Sequence, residues 1–304
     1  MGDYWKVMLD VVLPILITIL FGILLQKWRQ IDVRSLADVS LYVLAPSLVL
    51  ISLDESNRHA PGVWIVVCFT LLHTLLSWGA AWLTSAVFRF RTESTVTLSL
   101  TTIFGNANNY GLPVLLLAYG KNGFSLGINY VIMQIILVNT LGLYLAARSQ
   151  VSVRQAITQI AKTPLLYAVM VGIVLLGFGI VLPKGVSNGL HLMGNAYPAV
   201  VILILGTQLR KISIKGLKRK DVWISVGLRV IAVPILSELS LIVLGINGLL
   251  ASVLFVQSSM PAAINTSVLV EKYGGDKELV TATIAITTLI SFLTLPYFIH
   301  IGVH

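Results

Sequence analysis

A chain of 304 residues in which 57% are hydrophobic and only 11% charged lies outside the range of soluble globular domains, so lipid must be its main solvent. Hydrocarbon leaves no water for exposed backbone, so only helices or a closed barrel can span it, and the apolar runs here are helix-length rather than alternating ten-residue strands. The net charge of +9 would suggest nucleic acid in a soluble protein; its distribution along this chain assigns it to membrane topology instead, and no nucleic-acid partner is expected. Cys68 is alone, which excludes an intrachain disulfide and a cysteine metal site; no metal or cofactor is expected.

In chain order, ten apolar stretches read as transmembrane helices: 7-26, 36-53, 61-88, 94-119, 125-147, 163-182, 189-209, 222-245, 249-270 and 279-300. The first is not a cleavable signal peptide, because Asp3 and Asp10 spoil a basic leader and Gln26, Lys27, Trp28 and Arg29 follow it without a small-residue cleavage site. Sixteen Lys and Arg fall in the loops after the odd-numbered spans, six of them between 7 and 8, against Lys6, Arg58, Lys121 and Lys184 on the other side. By the positive-inside rule the odd loops are cytoplasmic and both termini lie outside a cell membrane.

The ten spans divide into two halves, 1-150 and 151-304. Pro46 interrupts span 2 in LYVLAPSLVL, and Pro198 interrupts span 7 in NAYPAVVILIL. Pro113 and Pro261 follow 67 and 63 residues later, each in a polar break of span 4 or span 9. Five spans per half is an odd number, so the second half enters the membrane inverted, a common plan of secondary transporters.

Span 4 carries Gly105, Asn106, Ala107, Asn108, Asn109, Tyr110, Gly111, Leu112 and Pro113, and span 9 carries Gln257, Ser258, Ser259, Met260, Pro261 and, after a short apolar run, Asn265. Proline removes a backbone donor, and the amides cannot be satisfied by hydrocarbon, so such stretches belong in protein or against a wet cavity. The two breaks are expected to cross antiparallel, with second half-helices starting near Pro113 and Pro261 and aiming their N-termini at one point. Those N-termini offer free N–H groups and partial positive charge, which suits a carboxylate.

The segments FGNANNYGLPVLLLAYG, FVQSSMPAAINTSVLVEKY and TATIAITTLISFLTLPYF resemble the auxin efflux carrier family of secondary transporters, and the resemblance covers the whole chain. It implies a ten-helix inverted-repeat fold with helices 4 and 9 crossed. It also implies a moving transport domain of helices 3 to 5 and 8 to 10, a dimerising scaffold of helices 1, 2, 6 and 7, and an elevator-type cycle. The Asn seven positions before the proline, which holds the substrate carboxylate in plant members, falls on Asn106, with Pro113 and Pro261 shaping the crossing. Asn265 stands where plant members carry an apolar residue, so its role rests on the broken-helix argument alone. Residues 148-162 replace the long central loop of plant exporters.

The sequence thus predicts an all-α carrier for a small organic anion, a mono- or dicarboxylate such as malate, malonate or an auxin-like acid, coupled to a proton or sodium ion or to neither. Its substrate contacts are expected from Asn106, Asn108, Asn109, Pro113, Gln257, Ser258, Pro261 and Asn265. The ionisable residues inside spans, His73, Arg229 and Glu238, are candidates for coupling or charge compensation. Bland roles stand beside these: a packed histidine, a snorkelling arginine and a glutamate near the outer interface. A cation or neutral-solute carrier on the same scaffold is the alternative, then a non-transporting receptor. No HExxH or GxSxG pattern supports an enzyme.

Overall fold

The computed structural model describes residues 2–54, 63–147, 164–211 and 216–301. Among these residues it is all-helical, with no strand beyond one isolated β-bridge. Seven helices are long and apolar enough to cross a membrane: Tyr4–Arg29, Val33–Ile51, Val63–Val87, Ala107–Ala146, Lys184–Arg210, Lys220–Leu244 and Lys277–His300. Two shorter apolar helices, Pro164–Leu175 and Gly248–Ser258, complete the set. The 148-162 connection, Arg58 and Lys215 lie outside the described residues.

Span 4 is divided as its sequence implies, into Thr92–Ile103 and a helical stretch from Ala107 onward. That second stretch extends to Ala146, but as two helices that meet at a kink rather than as one straight helix. Gly120 has φ 64 and ψ −161, and a Cβ placed on Gly127 would sit 2.3 Å from Leu115 Cδ1. Twelve residues of continuous helix would separate that pair by about 18 Å. The chain therefore folds back at Gly120, a backbone conformation that a residue with a Cβ rarely adopts.

Prolines shape the helices in a regular way. The π turns Met8–Val12, Ser40–Leu44, Ala107–Gly111 and Leu228–Ala232 each end two residues before a proline: Pro14, Pro46, Pro113 and Pro234. A proline has no N–H for the carbonyl four residues back and its ring crowds that carbonyl, so the preceding turn widens. Pro46 therefore loosens its helix without breaking it, whereas Pro198 follows a true interruption between Gly194 and Tyr197. The fifth π turn, Val138–Gly142, has another cause: Asn139 Nδ2 donates to Ile135 O at 2.8 Å and Thr140 Oγ1 to Ile136 O at 2.7 Å, competing with the backbone ladder.

Two sets of helix pairings can be followed, joined by one apolar core that runs from Val11 and Leu48 to Tyr110, Val253 and Phe292. Leu13–Arg29 lies along Tyr197–Lys211, and Ala45–Asp54 lies against Pro164–Gly177 and Lys184–Gly194. The first pair meets backbone to backbone: a Cβ on Gly22 would fall 2.3 Å from Leu203 O, and one on Gly206 2.2 Å from Ile19 O. Small residues allow such close approach between helices in lipid, where van der Waals contact is the main attraction. In the second group Val63–Val87 packs on Thr92–Ile103 and Val233–Leu244, and Lys277–Ile301 on Lys220–Gly227 and Thr92–Ile103.

Arg219 fastens the ends of the second group. Its guanidinium donates to Asp221 Oδ2 at 2.6 Å and Oδ1 at 3.1 Å, to both carboxylate oxygens of Asp276, and to Glu278 at 3.4 Å. Asp276 also accepts from Ser94 Oγ and from the N–H of Leu279, while its own N–H donates to Thr97 Oγ1. Hydrogen bonds to Asp221 and then Asp276 push the Arg219 pKa up. Burial alone would raise the Asp276 carboxyl, but the bonds from Arg219, Leu279 and Ser94 outweigh it and hold Asp276 below the usual carboxylate range.

Candidate functional site

The two interruptions meet. Thr92–Ile103 ends in extended backbone at Phe104, with φ −99 and ψ 113, and Gly248–Ser258 gives way to an irregular stretch through Ile264. Across the gap the Asn106 N–H donates to Pro261 O at 2.8 Å and the Ala263 N–H to Phe104 O at 2.9 Å, an antiparallel bridge centred on Gly105 and Ala262. Thr287 Oγ1 accepts from the Ala262 N–H at 3.2 Å. Each broken helix thus supplies the partners that the other lost.

Only one of the second half-helices begins at its proline. Near Pro113 the α-helix starts at Leu112, with a π turn from Ala107 ahead of it, because the Asn106 carbonyl accepts from the N–H groups of both Tyr110 and Gly111 and nucleates a wide turn ahead of the proline. The second starts at Asn265, four residues after Pro261, because the Pro261 carbonyl is committed to the bridge and cannot open a helix.

The crossover has two chemically opposite sides. On one, the C-terminal ends of Thr92–Ile103 and Gly248–Ser258 converge on Arg229, which is 1% exposed. Its Nε donates to Met260 O at 2.8 Å, Nη1 to Thr102 O at 2.6 Å, and Nη2 to Ser258 O at 2.9 Å and Met260 O at 2.5 Å. Helix C-termini carry about half a negative charge each, and the guanidinium fork satisfies carbonyls of both. Gly105 makes room for it, since a Cβ there would lie 2.1 Å from Nη2. Arg229 neither snorkels nor lines the cavity described next.

On the other side the N-terminal ends of the second half-helices open on a cavity of about 210 Å³. Asn106, Asn108 and Asn109 line it from one break and Asn265 and Thr266 from the other; Val131, Gln134, Ile135, Val138 and Asn139 form the far wall. No backbone acceptor among the described residues takes the N–H groups of Ala107, Asn108, Asn109 or Asn265. The Asn106 side chain makes no cap bond, and its Nδ2 is buried with no partner. Asn108 Nδ2 donates to Asn109 Oδ1 at 3.1 Å, and the Tyr197 hydroxyl lies 3.3 Å from Asn108 Oδ1. A second cavity of about 190 Å³ shares Leu41, Asn108, Asn109 and Asn265 and extends past Tyr197 to Gln208. No Lys, Arg, His, Asp or Glu lines either one among the described residues.

The other expected site residues lie apart. Pro113 and Pro261 are buried in the crossing, and Gln257 is wedged between Gly111 and Gly127, where a Cβ on Gly111 would fall 2.1 Å from its Oε1. Ser258 shares a 2.6 Å hydrogen bond with Ser237 on the Arg229 side. His73 is fully buried and stacks on Phe69 with ring centroids 5.7 Å apart. Glu238 is exposed and lines a separate cavity of about 410 Å³ beside Asn247 and Ser252. Gln134, Asn139, Tyr197 and Gln208 were not singled out from the sequence, although 131, 134, 135, 138 and 139 follow the spacing of a single helix face.

Against known proteins, residues 7–299 match the family described as membrane transport protein, that of the auxin efflux carriers. The chain belongs to this family and is a membrane transporter. An uncharacterized transporter of Methanocaldococcus jannaschii is 29% identical to it over 307 aligned positions, covering 94% of this chain and 96% of the relative. One from Methanothermobacter thermautotrophicus is 26% identical over 296 positions with the same coverage of each chain. The family and these relatives agree with the reading that the transporter is not an enzyme.

Proposed function

We propose that this transporter is a secondary carrier of a small organic anion, and that the anion binds in the 210 Å³ cavity on the amide side of the crossover. The carrying observation is the unpartnered Asn106 Nδ2 beside unpaired helix N-terminal amides in a cavity that no charged side chain lines among the described residues. Amides and helix N-termini favour negative charge, and the absence of a lining carboxylate leaves a cation without a counter-charge. The same absence of Lys and Arg favours a monocarboxylate over a dianion, because one carboxylate can be met by the amides while a second would be buried unpaired. The volume sits below the ~300–1,000 Å³ of drug-sized sites, which suits a small acid.

The fold reading that goes with this is ten crossings in two inverted sets of five. The Gly105–Ala262 bridge between corresponding breaks, the fold-back at Gly120 and the Lys and Arg bias support it. Spans 1, 2, 6 and 7 act as the scaffold, which dimerises, and spans 3 to 5 and 8 to 10 as the moving domain of an elevator cycle. The two sets of helix pairings support that division. The carrier sits in the cell membrane with both termini outside.

The test is uptake of labelled mono- and dicarboxylates into proteoliposomes under imposed pH and sodium gradients. Saturable uptake of a monocarboxylate that Asn106→Ala lowers by about 10- to 100-fold, the worth of one hydrogen bond to a charged group, supports the site. Unchanged uptake by that variant refutes it.

A further inference from the structure

We infer that Arg229 is the resident cation of the crossover, occupying with a side chain the place where a broken-helix transporter would otherwise hold a dissociable monovalent cation. The inference builds on the transport reading, but its geometry stands apart from the anion cavity. Convergent carbonyls at half-helix C-termini are the usual ligands of a sodium ion or proton carrier in such folds. Here two such carbonyls, Thr102 O and Ser258 O, and that of Met260 in the unwound stretch lie 2.5–2.9 Å from guanidinium nitrogens. No carboxylate pairs with Arg229 among the described residues, so the two helix ends supply its counter-charge.

Two further features belong to the same place. Thr102 Oγ1 and Ser259 Oγ are buried with no hydrogen-bond partner, and they sit on or beside the residues whose carbonyls hold the guanidinium. Removing the side chain of Arg229 would leave the three carbonyl oxygens facing a void with net negative potential. That is a site for guanidinium or a small monovalent cation. Gly105 is the specificity element, because its missing Cβ is what admits Nη2.

The native protein should therefore bind no sodium at the crossover, and Arg229→Ala should create a site that was absent. The experiment is thermal unfolding of purified full-length wild type and Arg229→Ala in a choline buffer, with sodium or about 10 mM guanidinium added. Wild type is expected to show no stabilisation by either ion. Arg229→Ala is expected to melt roughly 5–10 °C lower and to regain at least half of that with guanidinium. A wild-type protein stabilised by sodium, or a variant indifferent to guanidinium, overturns the inference. If Arg229→Ala does not fold, the wild-type sodium titration still decides, and Gly105→Ala provides a second variant that displaces the guanidinium without deleting it and should melt lower. Asn106→Ala should lose uptake yet keep the wild-type indifference to sodium, so a failed anion site and a failed cation assignment give different results.

Discussion

The two sides of the crossover are built from the same pair of broken helices and end in opposite chemistry. On the carbonyl side the Thr102, Ser258 and Met260 carbonyls are all taken by Arg229, and the guanidinium is buried with no carboxylate partner among the described residues. On the amide side the corresponding N–H groups and the Asn106 side chain are left without partners around an open cavity. A helix break always produces one end of each sign; the molecule fills one with its own side chain and leaves the other open.

Substitutions that empty the closed side should have the largest effect on stability. Arg229→Met leaves three buried carbonyls unpaired and is expected to cost about 3–5 kcal/mol, read as a lower unfolding midpoint in denaturant. Gly105→Ala forces a Cβ to within 2.1 Å of Nη2 and should cost about 1–3 kcal/mol by the same measurement. Changes on the open side should do the reverse, sparing stability and removing function. Asn106→Asp, which puts a carboxylate beside the unpaired amides, should abolish anion uptake while lowering the unfolding midpoint less than Arg229→Met does. Gln134→Leu removes a single amide from the far wall and is expected to raise the KM for uptake by about 3- to 10-fold.

A smaller effect on stability than at Arg229 is expected at the Arg219 clasp, which belongs to neither side. Asp276→Asn should cost about 1–2 kcal/mol, since it weakens a helix cap and a half-buried ion pair together. Because the folded-state pKa of Asp276 lies below its unfolded value of about 4, its contribution is fully present above that value and fades as pH falls through the depressed one. A pH titration of the unfolding midpoint should therefore separate wild type from Asp276→Asn at pH 6 and merge them in strong acid.

The breaks were legible because Asn, Gly and Pro inside apolar runs violate the rules for a lipid-facing helix, and their repetition in the second half made Asn106 and Asn265 stand out. Near Pro113 the expected start holds for the α-helix that begins at Leu112, with a π turn from Ala107 ahead of it; the second half-helix starts four residues after Pro261, since a proline in sequence does not reveal whether its carbonyl is needed across a bridge. Arg229 was visible as the lone arginine inside a span, but its partners are 127 and 29 to 31 residues away in sequence, so burial rather than spacing reveals its role. Gly105, which admits it, reads in sequence as one more helix breaker. Gln134 and Asn139 carried a signal in their common helical face that a single amide per turn does not raise above ordinary packing.

The central claim is that the ligand occupies the amide side and no other cavity. Alkylation of single cysteines tests it directly: in a Cys68→Ser background, Asn265→Cys probes the crossover cavity and Glu238→Cys the separate 410 Å³ one. A transported monocarboxylate is expected to protect Asn265→Cys from a maleimide in proportion to its occupancy and to leave Glu238→Cys untouched. Protection of Glu238→Cys with full labelling of Asn265→Cys would contradict the account.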